Sequence, residues 1–507
     1  MKLGKLLVRG ALLRTSYTFL SMAIAFFMMP LFIHSLGDDW YGIWTVISGF
    51  IGVYFVLDLG VTSAVSRYTS AAVGKNDKTE INTIVNTGLT IFLCLSVLVT
   101  VVTFIISFFS TVVIDTQNHQ TVVSQVILVA GLSVAFEFPF NAFAGLTEAK
   151  SRFDQLVYVR AFTLSVGAII NYIQLTHGIG ILGIAIAGFV MARISNLLYW
   201  YLAKKNFPEM VINLKLATKD HAKKLFRFSF WSFIISLAST LPFRANPLII
   251  AAFISPSAVT LYVVGQRLVE YTNRFLSQAT NMLTPSFTQH YERGELDAIR
   301  EKFLFMVRIN SVGAMVAIFG LVGLAEALIV EWVGEEYQAG YGVVVIRIFG
   351  LMATFIFSNS NNILYATNKH KFLAALTIVE GVALIIISIA LIDSFGILAV
   401  AIGATVPAIV TRFIVLPYYV AKVIKLNPLH LFGVVAKSMV VLVPVGCAFV
   451  YWSRYVYKVQ GYLDIAILGA SIGILIALLG LFTQFKRDER NKLLSALPFI
   501  GGKSVVI

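Results

Sequence analysis

Long apolar runs follow one another along almost the whole chain, separated by short polar stretches. A helix crossing about 30 Å of hydrocarbon needs roughly 20 apolar residues. On that rule the pattern predicts about fourteen spans, near 11–34, 41–66, 84–109, 121–146, 156–176, 179–202, 228–253, 258–285, 304–330, 342–367, 372–392, 396–420, 431–453 and 462–483. The fifth and sixth spans, and the eleventh and twelfth, are divided only by short glycine-containing turns. Strict barrel-type alternation is absent. Backbone groups in lipid must be satisfied internally, so the predicted class is an all-α integral membrane protein.

The polar connections alternate in charge. One set carries Lys2, Lys5 and Arg9; Lys75 and Lys78; Lys150 and Arg152; then Lys204, Lys205, Lys215, Lys219, Lys223 and Lys224. It continues with Arg293, Arg300 and Lys302; Lys369 and Lys371; Lys422 and Lys425; and finally Lys486, Arg487, Arg490 and Lys492. The intervening set reads GDDW, DTQNHQ, THG, SPS, GEEYQ and DSFG, with no Lys or Arg until Arg454 and Lys458. The positive-inside rule places the basic set, and both termini, in the cytoplasm. The basic start MKLGKLLVRGALLRTSYTF runs into a full span without a small-residue cleavage site, so a cleaved signal peptide is not expected.

The chain divides at a basic stretch, 204–227, where Thr218 and Asp220 form a helix-start signal and the lysines after them suit an anionic leaflet. The two halves on either side of it run parallel: MMPLFIHSL (28–36) with ANPLIIAAF (245–253), VGKNDKTEI (73–81) with ERGELDAIR (292–300), and GILGIAIAG (180–188) with GILAVAIGA (396–404). The expected organisation is a six-span lobe at 1–203, the linker, a second six-span lobe at 228–421, two further spans at 422–484 and a cytoplasmic tail at 485–507. Two lobes with the same in/out order imply parallel repeats, a recurrent transporter architecture.

Composition agrees. Of 507 residues, 58% are hydrophobic and only 13% charged, against roughly 25% charged in a water-soluble domain. The net charge of +14 is spread over the connections rather than gathered on a soluble face, so nucleic acid is not an expected partner. Cys94 and Cys447 fall in apolar runs, give no disulfide or metal spacing, and read as small buried hydrophobes. No Walker A sequence and no H-E-x-x-H pair is present, so neither ATP hydrolysis nor a metal site is expected, and no cofactor is implied.

Against this background, ionisable residues at depth stand out, because each costs about 2.5–3.5 kcal/mol at mid-bilayer. The seventh span holds Arg244 between Pro242 and Pro247, which suggests an irregular backbone around a wet, cationic space. The eighth holds Arg267, Glu270 and Arg274, spaced to share one helix face. Arg347 and Glu380 lie on the tenth and eleventh. The first lobe carries Asp58, Glu137 and Arg193, with Arg14 and Arg67 nearer the cytoplasmic rim.

Each has a plainer reading. Arg14, Arg67, Arg160, Arg308 and Arg412 are near enough to the inner face to snorkel, as Glu326, Glu331 and Arg347 are to the outer. Arg267, Glu270 and Arg274 also fit an ion-paired brace, and Glu137 a role in the bend at Pro139. The SNSNN run at 358–362 fits either sugar contacts or a helix–helix hydrogen-bond patch.

The stretch 30–68 contains Pro30, Leu36-Gly37, Tyr41-Gly42 and an LDLG…SRY block with Asp58, Gly60 and Arg67. It resembles the start of O-antigen-type polysaccharide-repeat flippases of the multidrug/oligosaccharidyl-lipid/polysaccharide (MOP) exporter superfamily, and the plan of six plus six plus two spans is similar throughout. The resemblance implies a non-enzymatic transporter of the bacterial inner membrane. It would move an undecaprenyl-diphosphate-linked oligosaccharide to the periplasmic leaflet by alternating access around a central cavity, with proton or sodium coupling, among membrane lipids and other polysaccharide assembly proteins.

On this reading Arg244, Arg267, Arg274, Arg14, Arg193 and Arg347 line a cationic cavity, since arginine's planar donor fork suits a diphosphate. Asp58, Glu137, Glu270 and Glu380 are the candidates for coupling or gating. The alternatives are an ion-coupled drug exporter, which would favour an acidic cavity, and a lipid-linked peptidoglycan precursor flippase. A membrane glycan polymerase or ligase would need a larger outward loop than any here.

Overall fold

The computed structural model describes residues 2–58, 60–110, 120–150, 152–280 and 284–496. Most of the DTQNHQ connection and the tail past 496 lie outside the described residues. In the first half the helices are α1 (Lys2–Leu36), α2 (Asp38–Tyr54), α3 (Val61–Gly74), α4 (Lys78–Phe108), α5 (Gln120–Ala149), α6 (Phe153–Thr176), α7 (Ile181–Asn206) and α8 (Lys219–Phe253). Next come α9 (Pro256–Thr280), α10 (Thr284–Glu292), α11 (Leu296–Val333), α12 (Gly340–Ile356), α13 (Asn359–Ala366) and α14 (His370–Phe395). The last are α15 (Ile397–Ala408), α16 (Leu416–Val423), α17 (Pro428–Tyr451), α18 (Gly461–Gln484) and α19 (Arg487–Ala496).

The described residues contain no strand, and 11 of their helical segments are long and apolar enough to cross a membrane. The other three expected spans, 41–66, 228–253 and 258–285, fall on α2 with α3, on α8 and on α9. The chain is an all-α, multi-pass membrane protein.

It forms two compact units, Met1–Thr260 and Leu261–Ile507. The boundary lies one span later than the expected start of the second lobe at 228. The reason is packing: α8 lies against α2, α3 and α4, and Gly42 of α2 meets the Pro256 carbonyl so closely that a Cβ could not fit. The core of the first unit gathers Val61, Val65, Phe92, Val99, Phe138 and Leu146. That of the second gathers Phe303, Val307, Ala314, Ile348, Phe357 and Leu442.

Many large apolar side chains are exposed, as expected of a protein whose solvent is lipid: Val97, Phe108, Val440 and Leu463 are examples. Cys94 and Cys447 belong with them. They are exposed rather than buried, because an apolar run in a span supplies the lipid face as well as the core.

Several spans are less regular than periodicity suggests. The expected helix at 41–66 is broken by a 3-10 turn, Phe55–Asp58, after which Gly60 takes a left-handed conformation (φ 71°) that favours glycine. The expected span at 342–367 breaks between α12 and α13. There the buried Asn310 of α11 donates its amide to the Phe355 carbonyl at 3.1 Å, the Ile356 carbonyl at 3.3 Å and the Ser358 hydroxyl at 3.2 Å. A π-helical segment, Ile409–Val415, joins α15 to α16. Conversely, α8 runs unbroken through Pro242 and Pro247, against the expected irregular backbone. Proline is tolerated in membrane helices where neighbouring groups and local adjustments satisfy the freed carbonyls.

Candidate functional site

In the first unit, Arg244 leaves α8 toward α2. A Cβ built on Gly52 would lie 2.5 Å from the Arg244 Cζ and Nε, so the guanidinium rests on bare backbone at that glycine. Nothing in the hydrophobic pattern marked Gly52 as its seat.

Asp58 ends the 3-10 turn, and its Oδ1 accepts from the Thr62 amide at 3.3 Å and the Thr62 hydroxyl at 3.0 Å. It therefore satisfies a free donor at the start of α3, as capping carboxylates do. The LDLG block thus encodes a helix restart: an acceptor at Asp58 and a left-handed turn at Gly60.

Arg193 of α7 donates to the Ser133 carbonyl of α5 at 2.6 Å and lies over the Phe189 and Phe136 rings at 4.9 and 5.5 Å. Its Nε has no hydrogen-bond partner among the described residues. Glu137 sits within electrostatic reach of Arg193 and Arg160, and Glu148 of Arg160 and Arg14. Arg14 itself is exposed, within the first half of α1.

The second unit concentrates charge on α9 and α12. Glu270 accepts from Arg267 at 2.9 Å through one oxygen and from the buried Gln266 at 2.7 Å through the other. Arg274, one turn on, and Arg347 of α12 also act on that carboxylate electrostatically. Four charged side chains thus share one locality with three positive charges to one negative. The Nε of Arg347 is buried without a hydrogen-bond partner among the described residues. α9 reaches α12 through Gly265 and Gly340, whose backbones approach too closely for any side chain at Gly265. The missed member is Gln266; its spacing of four from Glu270 was the available signal.

Glu380, Arg412, Arg308 and Glu326, expected at depth or at the rim, are paired. Glu380 of α14 accepts from Arg412 Nε at 2.6 Å and from the Thr411 hydroxyl at 3.1 Å, while Arg412 also donates to the Thr377 hydroxyl at 2.8 Å. Arg412, on the π segment, is therefore held by a carboxylate of α14 rather than extended to the headgroups. Arg308 pairs with Glu489 at 2.6 Å, and Glu326 pairs with Arg454, whose guanidinium covers the Tyr341 ring. The SNSNN run supplies Ser358 to Asn310, and Asn362 donates to Asn359 at 3.1 Å, while Asn359 Nδ2, Ser360 Oγ and Asn361 Oδ1 are buried without a hydrogen-bond partner among the described residues.

An apolar groove of about 630 Å³ opens in the second unit between α11, α12, the π segment and α17. Phe319, Met352, Phe413, Met439 and Val443 are among its walls.

The polysaccharide biosynthesis protein family matches residues 7–290, more than half of the chain. The chain is 20% identical to the uncharacterized membrane protein EpsK of Bacillus subtilis (strain 168) over 489 residues, 94% of this chain and 95% of that protein. Among solved structures it is similar to the lipid II flippase MurJ in an inward closed conformation, with a TM-score of 0.69, 13% identity, and coverage of 91% of this chain and 97% of that one. It is also similar to an inward-facing multidrug resistance MATE family transporter of the MOP superfamily, with a TM-score of 0.63, 14% identity, and coverage of 82% and 99%. The chain shares its fold with these two transporters. The chain belongs to the polysaccharide biosynthesis protein family and has the fold of the MOP superfamily.

Proposed function

We propose that the chain is a flippase that carries an undecaprenyl-diphosphate-linked polysaccharide repeat from the cytoplasmic to the periplasmic leaflet of the bacterial inner membrane by alternating access. On this reading it crosses the membrane fourteen times with both termini cytoplasmic. The observation that carries the proposal is the excess of guanidinium around Glu270, where Arg267 pairs with the carboxylate and Arg274 and Arg347 lie within electrostatic reach of it. Such an excess in a membrane segment is costly unless an anion shares it. A diphosphate supplies the charge and the acceptor oxygens that arginine's donor fork matches.

Glu270 acts as the resident counter-ion, held in place by Gln266, and a bound diphosphate competes with it for Arg267. Of the four candidate coupling carboxylates, Glu270 is therefore the one linked to cargo. Asp58 caps a helix, Glu137 faces Arg193 and Arg160, and Glu380 is paired with Arg412. The apolar groove suits the prenyl chain, whose burial contributes about 0.8 kcal/mol per methylene. Family membership and similarity to the lipid II flippase MurJ support a glycan-lipid cargo. An exporter of organic cations would place uncompensated carboxylates where this chain places arginines.

The test replaces Arg267 and Arg274 together by alanine, and Arg244 separately, in cells that depend on this protein for surface polysaccharide. Membrane insertion stays normal, surface polysaccharide falls, and lipid-linked repeats accumulate at the inner leaflet. Wild-type export by both variants removes these arginines from the site.

A further inference from the structure

The linker between α7 and α8 is fastened to α4 in an unusual way. Asn82 and Asn86 are one helical turn apart, and each uses its side-chain amide as a strand would use a peptide group. Asn82 donates to the Glu209 carbonyl at 3.2 Å and accepts from the Val211 amide at 2.8 Å. Asn86 donates to the Val211 carbonyl and accepts from the Asn213 amide, both at 2.8 Å. The match is geometric: four residues of helix rise about 6 Å, close to the roughly 6.6 Å spanned by two residues of extended chain.

Further ties bracket the strap. The Thr218 amide donates to the Thr87 hydroxyl at 3.3 Å, Lys204 donates to the Pro208 and Met210 carbonyls, and Lys78 pairs with Glu209 at 2.8 Å. The Lys78 hydrogen bond and charge hold the Glu209 carboxyl below its ordinary range.

The backbone polar atoms of the strap thus point inward at α4, and Met210 is buried in the core, whereas three other apolar side chains are exposed. Val211 and Ile212 are each 52% exposed and Leu214 is 48% exposed. The face of α4 that carries Asn82 and Asn86 continues, at helical spacing, through Leu93, Val97 and Phe104. Those three side chains are exposed on a span, which makes that face the lipid face. The strap therefore covers the lipid face of α4 at its first turns. Beyond it, Lys215, Lys219 and Lys223 are all exposed.

We infer that residues 209–223 form a membrane-interface anchor, with Val211, Ile212 and Leu214 seated in the acyl–headgroup boundary of an anionic leaflet and Lys215, Lys219 and Lys223 on its headgroups. The occupant of this surface is lipid, selected by charge: each lysine near an anionic surface favours the seated position by about fivefold. The strap fixes where α8 begins, because Thr218 both bonds to α4 and caps α8 by accepting from the His221 amide.

The experiment uses the full chain with Cys94→Ala and Cys447→Ala, carrying Ile212→Cys or Lys219→Cys labelled with an environment-sensitive fluorophore. It is placed in nanodiscs of phosphatidylcholine alone or mixed with phosphatidylglycerol, with and without spin-labelled acyl chains. The label at 212 emits as in an apolar medium and is quenched by the spin-labelled lipid, more strongly with phosphatidylglycerol, whereas the label at 219 stays water-like. Adding Lys215→Gln, Lys219→Gln and Lys223→Gln to the 212-labelled chain abolishes the phosphatidylglycerol effect, and adding Asn86→Leu weakens the quenching. Water-like emission at 212 overturns the inference, as does apolar emission without lipid quenching, which would mean that protein covers the strap. Quenching indifferent to lipid charge overturns the assignment of an anionic leaflet.

Discussion

Replacing Glu380 separates a structural carboxylate from a coupling one. Its Oε2 accepts from Arg412 at 2.6 Å and from the Thr411 hydroxyl at 3.1 Å, and the two charged side chains are only 21% and 12% exposed. Glu380→Ala strands the guanidinium with a single hydroxyl acceptor, Thr377, and removing one partner of a buried pair costs about 3–5 kcal/mol. Glu380→Gln retains an acceptor oxygen and loses only the charge-assisted part of the bond, about 2 kcal/mol. Replacing both partners, Glu380→Leu with Arg412→Met, removes the buried charges together and returns stability to within about 1 kcal/mol of the parent. Reversible unfolding of purified protein in mixed micelles measures all three, and flux in vesicles with imposed ion gradients measures coupling. A loss of less than about 1 kcal/mol in the alanine variant would refute the structural role. So would a glutamine variant that keeps its stability but loses its response to the gradients.

Two further substitutions probe sites that the hydrophobic pattern did not reveal. Asn310→Leu leaves the Phe355 and Ile356 carbonyls without their side-chain donor at the break between α12 and α13; the same unfolding assay should show a loss of about 2–4 kcal/mol, and an unchanged midpoint would mean that the break is satisfied otherwise. Gly52→Ala places a Cβ 2.5 Å from the Arg244 guanidinium, the far end of a flexible side chain. Stability should change by less than about 0.5 kcal/mol while export drops, and full export would show that the position of Arg244 does not matter.

The membrane character and most helices were legible because span length and hydropathy are local properties. The alternation of basic and non-basic connections is equally local, and so is the Thr218 cap of α8. What escaped was tertiary. Arg412 and Glu380 are 32 residues apart in sequence and meet through the packing of α14 against the segment that follows it, so proximity to the inner face suggested snorkelling instead. Pro242 and Pro247 read as helix breakers, yet α8 continues, because a proline's effect depends on which neighbours satisfy the carbonyls it frees. The LDLG block read as a family signature, and its physical content, a cap at Asp58 and a left-handed Gly60, emerged only with coordinates. Asn82 and Asn86 were invisible as a pair, since nothing in a helical spacing of four announces a bound strand. The grouping of Arg267, Glu270 and Arg274 followed from helix geometry, but Arg347 and Gln266 joined them only through packing and hydrogen bonding.

The central claim is that the guanidinium excess around Glu270 binds diphosphate, and it is tested most directly by equilibrium binding to the purified chain in nanodiscs. Undecaprenyl diphosphate should bind at least about tenfold more tightly than undecaprenol, the effect of one strong charge-assisted bond. Arg267→Ala with Arg274→Ala should remove that difference while leaving undecaprenol binding unchanged. Equal affinity for the two lipids, or a preference for the diphosphate that survives the double substitution, would contradict the account.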